Sequence, residues 1–239
     1  MVKKLPELSI FFPFWNEEEN IKEVISRALS IVPNVADKWE IIMVDDGSSD
    51  QTLEIANKLA LENPNLRVIH LYPNRGYGAA LKAGLENSKY DYIVFTDGDL
   101  QFDFSEVTKF IEEIGSADLV IGYRKKRRDQ KILKRLLLMN LLKIGDFILF
   151  GFKFRDIDCG FKMFRKSAIK EISPLRSEGA MITTEILAKA VRKKLRIQEV
   201  GVEHYIRQHG IQTGANLPVI LRAILESLML WLDIRNRRF

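Results

Sequence analysis

The chain has 239 residues, of which 46% are hydrophobic and 29% are charged, and its formal net charge is +5. This composition is typical of a globular protein with a sizeable core, and it excludes a chain that is mostly disordered. The single cysteine excludes an internal disulfide. Together with three histidines it supplies no ligand set for a structural zinc site.

Apolar runs rich in isoleucine, valine and phenylalanine alternate with helical patterns through the first half of the chain. They predict five strands, at residues 8–12, 39–44, 66–72, 90–96 and 117–123. Helices are predicted between them, at about residues 18–32, 49–60, 77–86 and 104–114. Strands that are apolar along their whole length are typically buried on both faces. We therefore expect an α/β fold with an open, mostly parallel, twisted sheet and helices on both faces.

The second half carries longer helical patterns and one further predicted strand. Helices are expected at about residues 130–149, from Lys166, and at about 183–194, and a strand is expected within 195–206. Apolar side chains at helical spacing predict an amphipathic C-terminal helix within residues 216–239. Charged residues interrupt every apolar stretch before it reaches the ~18 residues of a membrane span, and the N-terminus does not resemble a signal peptide.

Polar segments follow four of the predicted strands. They are PFWNE at residues 13–17, DDGSSD at 45–50, DGDLQ at 97–101 and GYR at 122–124. Ligands of open α/β sheets bind beyond the carboxyl ends of the strands, so we expect these four segments to surround one crevice. Any one of them is compatible with an ordinary turn or helix cap, but four together favour a binding site.

The DGDLQ segment is the most specific of these signals. In an extended segment alternate residues face the same way, so Asp97, Asp99 and Gln101 are expected to face one point. Three oxygen-bearing side chains suit a hard divalent cation, Mg²⁺ or Mn²⁺. A calcium-binding EF-hand is excluded, because its glycine at position six and its glutamate at position twelve are both absent. Asp103 is predicted to cap a helix that starts near Phe104.

A glycine-containing segment, RGYGAALKAG at residues 75–84, follows the third predicted strand. It departs from the dinucleotide-binding fingerprint, because Leu81 takes the place of the third glycine. The segment is compatible with a helix start that needs small residues for close packing. That helix start and Arg75 are also candidates for binding an anion.

Eight of the twelve residues from Arg124 to Arg135 are basic. Such a run is compatible with a solvated face, an anionic ligand, a membrane surface or nucleic acid. The apolar segment that follows it contains interspersed lysine and arginine. This pattern fits a helix in a membrane interface and equally a core helix with a basic rim.

In their order along the chain, these motifs resemble those of the family 2 glycosyltransferases, in particular the polyprenyl-phosphate sugar transferases that include dolichol-phosphate mannose synthase. The segments that carry the resemblance are PFWNEEENI, VDDGSSDQT, RGYGAALKAGL, DGDLQ, GYR and DIDCGFKMF. The resemblance covers about residues 8–210 and implies a single GT-A domain. That domain would comprise a nucleotide-sugar-binding half (1–124), an acceptor-binding half (125–215) and an amphipathic C-terminal helix (216–239).

The resemblance also implies roles for individual residues. The nucleotide-sugar is expected to contact Pro13, Trp15, Glu17, Asp46, Asp97 and Gly98. The metal ligands implied are Asp97, Asp99 and Gln101, which hold Mg²⁺ or Mn²⁺ on the diphosphate. The residues expected to be catalytic are Asp99, Arg124, Arg135 and Arg207. Arg124 and Arg135 would grip the acceptor phosphate, and Arg207 would close over the phosphates.

Two positions depart from the family pattern. Trp15 replaces the usual tyrosine, which keeps a flat ring for stacking but loses a hydroxyl. Met139 lies where relatives of the mannose synthases often carry a serine near the acceptor phosphate.

The activity implied by the resemblance is the inverting transfer of a hexose from a GDP- or UDP-sugar to dolichyl or undecaprenyl phosphate. A phosphate acceptor is already ionised near neutral pH and needs only positioning by cations. A hydroxyl of a glycan or glycolipid would instead need a general base, for which Glu185 and Asp158 are the candidates.

Two hypotheses from other classes are a nucleic-acid-binding protein that uses residues 124–135 and a catalytically silent nucleotide-binding subunit. The first leaves both acidic motifs unexplained and has no aromatic residues interleaved with the basic ones, so we expect no nucleic-acid partner. The intact acidic set argues against the second. We expect a cytoplasmic protein, peripheral on the inner face of the cell membrane, attached directly, through a homodimer or through a membrane-protein partner.

Overall fold

The computed structural model of the chain describes residues 4–126, 149–151, 153–210, 226–233 and 235. Arg135, Met139, nearly all of the predicted helix at 130–149 and most of the basic run lie outside the described residues. The first part of the predicted C-terminal helix also lies outside them, whereas its residues 226–233 are helical.

Seven strands form one sheet in the described residues. They are β1 (Leu5–Phe14), β2 (Ala36–Asp45), β3 (Leu66–His70), β4 (Tyr92–Thr96), β5 (Leu119–Arg124), β6 (Phe161–Arg165) and β7 (Ile197–Val202). Their order across the sheet is β3-β2-β1-β4-β6-β5-β7. The predicted strands correspond to β1 to β5 and β7, with β1 and β2 longer at both ends than predicted and β3, β4 and β7 shorter.

The helices are α1 (Ile21–Val35), α2 (Thr52–Glu62), α3 (Tyr77–Asn87), α4 (Val107–Ile114), α5 (Lys166–Ile172) and α6 (Ile182–Arg192). A short 3-10 helix, Phe104–Glu106, precedes α4. One of its first N–H groups is capped as predicted, because Asp103 Oδ1 accepts a hydrogen bond from the N–H of Ser105 at 2.9 Å.

The sheet is parallel except at one strand, which confirms the expected mostly parallel α/β fold. Strand β6 pairs antiparallel with both β4 and β5 and so separates two parallel groups. Strand β6 was not predicted from the sequence, because Lys162 interrupts the short apolar run FKMF. The structure buries that lysine completely, so the run is a central strand with a charged residue inside it.

Helices cover both faces of the sheet, as expected from its apolar strands. Successive residues of β1 point to opposite faces, so Phe12 packs in the cluster with α1 and α4 and Phe11 packs in the cluster with α3 and α6. Every parallel strand of the first half therefore ends at the same edge of a sheet buried on both sides. That edge is where the polar segments lie.

Residues 226–233 form a helical segment that packs on the loop before α6. Arg176 Nη1 lies 2.9 Å from Asp233 Oδ2, and Leu230 is buried in a cluster with residues of β5 and α6. Three apolar side chains of this segment are instead 45–63% exposed, namely Leu228, Met229 and Leu232. In the part of the chain that the structure describes, no helix combines the length and the apolar character needed to cross a bilayer.

Candidate active site

The polar segments that follow β1 and β2 are joined into one framework. The N–H of Asn16 donates to Ser48 Oγ at 2.9 Å, and the N–H of Ser49 donates to Asn16 Oδ1 at 2.8 Å. The N–H of Glu17 donates to Thr52 Oγ1 at 2.8 Å. The expected grouping of strand ends is therefore present for these two strands.

The acidic turn that follows β4 (residues 97–101) is not the extended segment that side-chain alternation assumed. Leu100 has a left-handed backbone with φ of 61°, and Asp99 Oδ1 accepts the N–H of Gln101 at 3.0 Å, which closes a tight turn. The turn still brings Asp97 close enough to Asp99 for the charge of one to raise the pKa of the other. The two carboxylates are neighbours because of turn geometry.

Asp97 is held between the glycine segment and β6. Tyr77 Oη donates to Asp97 Oδ1 at 2.8 Å, and the N–H of Asp97 donates to Gly160 O at 3.0 Å. A methyl group at Gly160 would overlap the carboxylate of Asp97, so this position has room only for glycine. Burial, reinforced by the charge of Asp99, raises the pKa of Asp97 to about 7.

Arg207 bridges the carboxylates that follow β1 and β4. Its Nη1 atom lies 3.2 Å from Asp99 Oδ2, and its Nη2 atom donates to Glu17 Oε1. Its Nε atom donates to His209 O at 2.7 Å. Burial raises the pKa of Glu17 and of Asp99, and the Arg207 charge opposes both shifts. The structure therefore brings together three of the predicted site residues from three parts of the chain.

The acidic turn offers a donor set that fits Mg²⁺ or Mn²⁺. Two carboxylates lie together in a site whose burial disfavours their charge, so a cation there would relieve their repulsion. Gln101 Nε2 donates to Tyr205 O at 3.0 Å, which leaves the amide oxygen available as a third hard donor. Among the described residues no three His, Cys, Asp or Glu side chains form a group that could hold a metal ion.

Asp46 anchors the glycine segment. Its carboxylate accepts hydrogen bonds from the N–H groups of Arg75 and Gly76 at 2.9 and 2.8 Å and from Asn74 Nδ2 at 2.9 Å. Burial raises its pKa, and these N–H donors oppose that shift. In the structure Asp46 thus fixes the start of α3, and its expected contact with the ribose or base remains a prediction.

The N-terminus of α3, a candidate site for an anion, has its first N–H groups bonded within the protein. The N–H groups of Gly78 and Ala79 donate to Glu178 O at 2.8 and 3.2 Å. The Glu178 carboxylate lies 2.5 Å from Arg75 Nη2. Close packing explains the glycines, because a methyl at Gly76 or Gly78 would come within 2.8 Å of the backbone at Glu178. The loop before α6 therefore occupies the position of this candidate anion site.

Arg124, expected to grip the acceptor phosphate, is held in a two-pronged ion pair. Its Nε and Nη2 atoms lie 2.6 and 2.9 Å from the two carboxylate oxygens of Asp156, and both side chains are largely buried. Its positive charge nevertheless lowers the pKa of Asp97 and Asp99 against the effect of their burial. The structure thus places Arg124 beside the site, with its guanidinium directed at a protein carboxylate.

Lys162 is a buried cation close to the acidic turn. Its Nζ atom donates to Ile157 O at 3.0 Å and to Cys159 O, so it fixes the loop that leads into β6. Burial lowers its pKa, whereas the charge of Asp97 opposes that shift. Lys162 therefore stabilises the backbone that carries Gly160 beneath the Asp97 carboxylate.

The two candidate general bases differ in their surroundings. Glu185 is completely buried and lies 2.8 Å from Lys189 Nζ, and it also accepts the N–H groups of Arg176 and Ser177. Although burial alone would raise its pKa, these partners hold the pKa of Glu185 below its usual value. Asp158 is exposed in the loop before β6. Glu185 has the surroundings of a structural ion pair.

The remaining residues expected to contact the nucleotide-sugar lie at the end of β1 and on the acidic turn beside it. Trp15 is 43% exposed, as a ring that stacks on a ligand needs to be. A methyl at Gly98 would overlap the ring of Phe14 and approach Pro13 O to 3.0 Å. Packing against β1 is thus a sufficient reason for glycine at position 98, and the nucleotide contacts of Pro13, Trp15 and Gly98 remain predictions.

Three residues at this site were not identified from the sequence. Tyr77 lies between two glycines of the predicted helix start, and that location is its only sequence signal. Lys162 has a stronger signal, since a lysine inside an apolar strand-like run indicates a buried charge with partners. Glu178 has none, because its partner Arg75 is 103 residues away in the chain.

The amino-acid sequence of this chain is similar to a known protein family and to several curated proteins. Residues 9–173 match the family model described as glycosyl transferase family 2. The dodecaprenyl-phosphate galacturonate synthase of Rhizobium johnstonii is 32% identical over 236 residues, which cover 97% of this chain and 68% of the relative. The dolichyl-phosphate beta-glucosyltransferase of Saccharomyces cerevisiae is 34% identical over 219 residues, which cover 82% of this chain and 66% of the relative. The chain thus spans about two thirds of the length of these curated relatives.

Among solved structures, the fold is similar to that of glucosyl-3-phosphoglycerate synthase from Mycobacterium tuberculosis, crystallised with Mn²⁺, UDP-glucose and phosphoglyceric acid. The TM-score is 0.70 at 20% sequence identity, and the match covers 95% of this chain and 80% of that one. The likeness confirms the expected GT-A fold.

Proposed function

Because this chain belongs to glycosyltransferase family 2, we propose that it transfers a hexose from a nucleotide-sugar to a polyprenyl phosphate, with a divalent metal ion as cofactor. The family and the polyprenyl-phosphate branch expected from the motifs are those of its relatives. The donor, the acceptor and the metal of this chain are part of the proposal.

The observation that supports the proposal most strongly is the acidic turn with its arginine. Asp97 and Asp99 lie side by side with raised pKa values, and Arg207 reaches Asp99 from a distant part of the chain. Buried carboxylates that are only partly neutralised are suited to bind a cation. When the bond between a nucleotide diphosphate and its sugar breaks, such a cation and cationic side chains such as arginine stabilise the charge that develops on the diphosphate.

The protein residues would divide the work of transfer as follows. Asp97, Asp99 and Gln101 hold a Mg²⁺ or Mn²⁺ ion, which when bound neutralises the charge that develops on the leaving diphosphate. Arg207, which donates to Glu17 and Asp99, is placed to turn toward the phosphates. The exposed ring of Trp15 stacks on the base of the nucleotide.

A phosphate acceptor agrees with the surroundings of the candidate bases. An ionised phosphate attacks without losing a proton, so the site needs cations near the acceptor and no general base. Glu185 is committed to Lys189 and to two backbone N–H groups and is poorly suited to take a proton. Arg124, which is paired with Asp156, contributes positive charge beside the site. Arg135 is assigned to the acceptor phosphate by family resemblance.

We also propose that the protein works in the cytoplasm, on the inner face of the cell membrane, as a peripheral protein. A polyprenyl acceptor is embedded in a bilayer, and the exposed apolar side chains Ile206, Leu228, Met229 and Leu232 offer contacts with lipid. Sedimentation with anionic vesicles, compared with neutral ones, tests the attachment. If the protein sediments with vesicles only as a homodimer, or only with a membrane-protein partner, that mode of attachment would replace the proposed direct binding.

A donor and acceptor panel tests the proposed reaction. The protein is incubated with Mn²⁺ or Mg²⁺, with UDP-, GDP- and dTDP-sugars, and with either undecaprenyl phosphate or a glycolipid. We expect sugar linked to the lipid phosphate and no product with a chelator. Transfer only to hydroxyl groups would replace the phosphate acceptor by the glycan alternative, and transfer at full rate in chelator would remove the metal from the mechanism.

A further inference from the structure

The segment that follows β7, here called the strap (residues 203–207), runs beside residues 99–102 in the opposite direction. Three residues of the strap each contact one residue of that stretch. The pairs are His204 with Phe102, Tyr205 with Gln101 and Arg207 with Asp99. Each step forward along the strap meets a step back along the turn. The two segments thus form a short antiparallel contact that ends at the arginine.

Gln101 makes the central contact of the three, with two hydrogen bonds. The N–H of Tyr205 donates to the backbone oxygen of Gln101 at 2.8 Å, and Gln101 Nε2 donates to Tyr205 O at 3.0 Å. A carbonyl oxygen can only accept, so the nitrogen of the amide must be the end that lies against Tyr205. Gln101 is only 6% exposed, so water competes weakly for this bond. The oxygen of the same amide is the end that is left for an ion.

The strap determines where Arg207 can reach. Its guanidinium contacts Asp99 and Glu17. It can turn from these carboxylates to a diphosphate by rotation of its side chain, as long as the backbone of the strap stays in place. The two hydrogen bonds between Gln101 and Tyr205 anchor that backbone two positions before the arginine.

We propose that Gln101 is a positioning residue that couples the ion site to the strap. Its amide oxygen faces the ion, and its amide nitrogen holds Tyr205 and so keeps Arg207 within reach of the diphosphate. This inference rests on the proposed metal-dependent function and deepens it. A role as metal ligand alone would need only the oxygen of the side chain, whereas the proposed role also needs the nitrogen.

Two substitutions separate the two ends of the amide. Gln101→Glu keeps an oxygen for the ion but loses the donor nitrogen, and Gln101→Met removes both ends at similar length. Hydrogen exchange of the Tyr205 N–H, followed by NMR without added metal, reports on the strap directly. We expect exchange to be about tenfold faster in both variants, because the carbonyl of Tyr205 loses its donor and the strap opens more often.

Binding of Mn²⁺ alone, followed by electron paramagnetic resonance, should distinguish the two variants. Gln101→Glu should bind the ion at least as tightly as the wild type, because a carboxylate oxygen replaces the amide oxygen. Gln101→Met should bind it about tenfold more weakly. Calorimetric titration with UDP at saturating Mn²⁺ should nevertheless show an affinity about tenfold lower in both variants, because Arg207 is no longer held in place.

A double variant shows whether the loss of UDP affinity depends on Arg207. In the Arg207→Gln background, Gln101→Glu should lower the UDP affinity by less than about twofold further, since the contact that the strap positions is already missing. Repulsion between the new carboxylate and the diphosphate would instead cause the same loss in both backgrounds, and that result would overturn the proposal.

Gln198→Glu and Gln198→Met are the matched controls, because Gln198 is exposed near the start of β7, at the end of that strand opposite to the strap. Both should leave the exchange of the Tyr205 N–H and the two affinities unchanged. Thermal unfolding of each variant confirms that it is folded. Unchanged exchange at Tyr205 in the folded Gln101 variants, or wild-type UDP affinity in Gln101→Glu, would contradict the role of the amide nitrogen.

These results are distinguishable from failure of the proposed function. If the wild type binds Mn²⁺ and UDP but transfers no sugar, the proposed reaction is wrong, and hydrogen exchange and UDP binding still decide the role of Gln101. If the wild type binds no Mn²⁺ either alone or with UDP, both the metal site and the coupling through Gln101 are rejected.

Discussion

Two carboxylate sites in this molecule show how burial can serve binding or structure. Glu185, on α6, is completely buried, and its charge is matched by Lys189 and two backbone N–H groups, so its pKa falls below its usual value. Asp97, in the acidic turn, accepts one hydroxyl and faces a second carboxylate, so its pKa rises to about 7. The satisfied carboxylate stabilises the fold, and the unsatisfied pair is suited to receive a cation.

The largest expected effect is the loss of transfer when a carboxylate of the acidic turn loses its charge. Asp99→Asn keeps an oxygen that can accept the N–H of Gln101 but removes the negative charge that is proposed to bind the metal. We expect the transfer rate to fall by roughly 100- to 1,000-fold, the range seen when one charge-stabilising contact of a transition state is removed. Asp103→Asn is the matched control, because asparagine also caps helices and Asp103 lies outside the site. Equal losses in both variants would contradict the assignment of Asp99.

The opposite result, a loss of stability without a loss of transfer, is expected at the buried ion pair of Glu185 and Lys189. Glu185→Gln leaves Lys189 buried without its counter-charge, which is expected to lower the free energy of unfolding by about 3–5 kcal/mol. The transfer rate per folded molecule should stay close to that of the wild type, because the partners of Glu185, namely Lys189 and the N–H groups of Arg176 and Ser177, are not among the residues proposed to bind the metal or the substrates. Chemical denaturation measures the first quantity and an assay at low temperature the second.

A double variant sharpens this test. Replacing both Glu185 by glutamine and Lys189 by methionine removes the unpaired charge, so part of the lost stability should return. A large loss of transfer in a folded Glu185→Gln protein would instead support Glu185 as a general base and a hydroxyl acceptor.

The acidic turn should also respond to pH, and the sign follows from the raised pKa of Asp97. In the metal-free protein the proton is retained up to about pH 7, whereas in the unfolded chain it is lost near the ordinary value of 3.8. The free energy of unfolding therefore falls as the pH rises from about 4 to 7, because Asp97 loses its proton more easily in the unfolded chain than in the folded protein.

Added Mn²⁺ should restore this stability, because the ion favours the ionised carboxylates. The ion competes with the proton, so its affinity should weaken by up to about tenfold per pH unit below 7. Thermal unfolding and Mn²⁺ binding between pH 5 and 8 measure both effects. A Mn²⁺ affinity that does not change over this range would contradict the shift at Asp97.

A smaller effect is expected from Arg207, which partly neutralises the acidic turn when no metal is bound. Arg207→Gln removes a competing positive charge, so Mn²⁺ alone should bind about fivefold more tightly, equivalent to roughly 1 kcal/mol for one partly exposed ion pair. The same change should slow transfer, since the arginine is then missing from the phosphates. Weaker Mn²⁺ binding in this variant would show that Arg207 supports the ion site instead of competing with it.

The sequence predicted the sheet and the strand-end motifs well, because an apolar run buried on both faces and a polar turn both leave local patterns. Asp99, Gln101 and Asp103 were identifiable in this way. Strand β6 was missed because a buried lysine broke its apolar pattern. The partners of Arg124 and Arg75 could not be predicted either. Arg124 pairs with a residue 32 positions away and Arg75 with one 103 positions away, and no local pattern encodes such ion pairs.

The geometry of the acidic turn illustrates the same limit. Alternation along a strand predicted that Asp97 and Asp99 would share a face, but the chain leaves β4 in a turn with a left-handed residue at Leu100. The two carboxylates come together through that turn, and their orientation depends on Tyr77 and Gly160, which come from other segments. Local patterns gave the composition of the site, and long-range packing gives its shape.

The most direct test of the proposed metal site is a crystal structure of the protein with Mn²⁺ and UDP, with the ion located by its anomalous scattering. We expect one peak at the acidic turn, bound by oxygens of Asp97, Asp99 and Gln101, with Arg207 moved from Asp99 onto the diphosphate. Well-ordered UDP without a metal peak at these oxygens, or a peak held by other residues, would contradict the assignment.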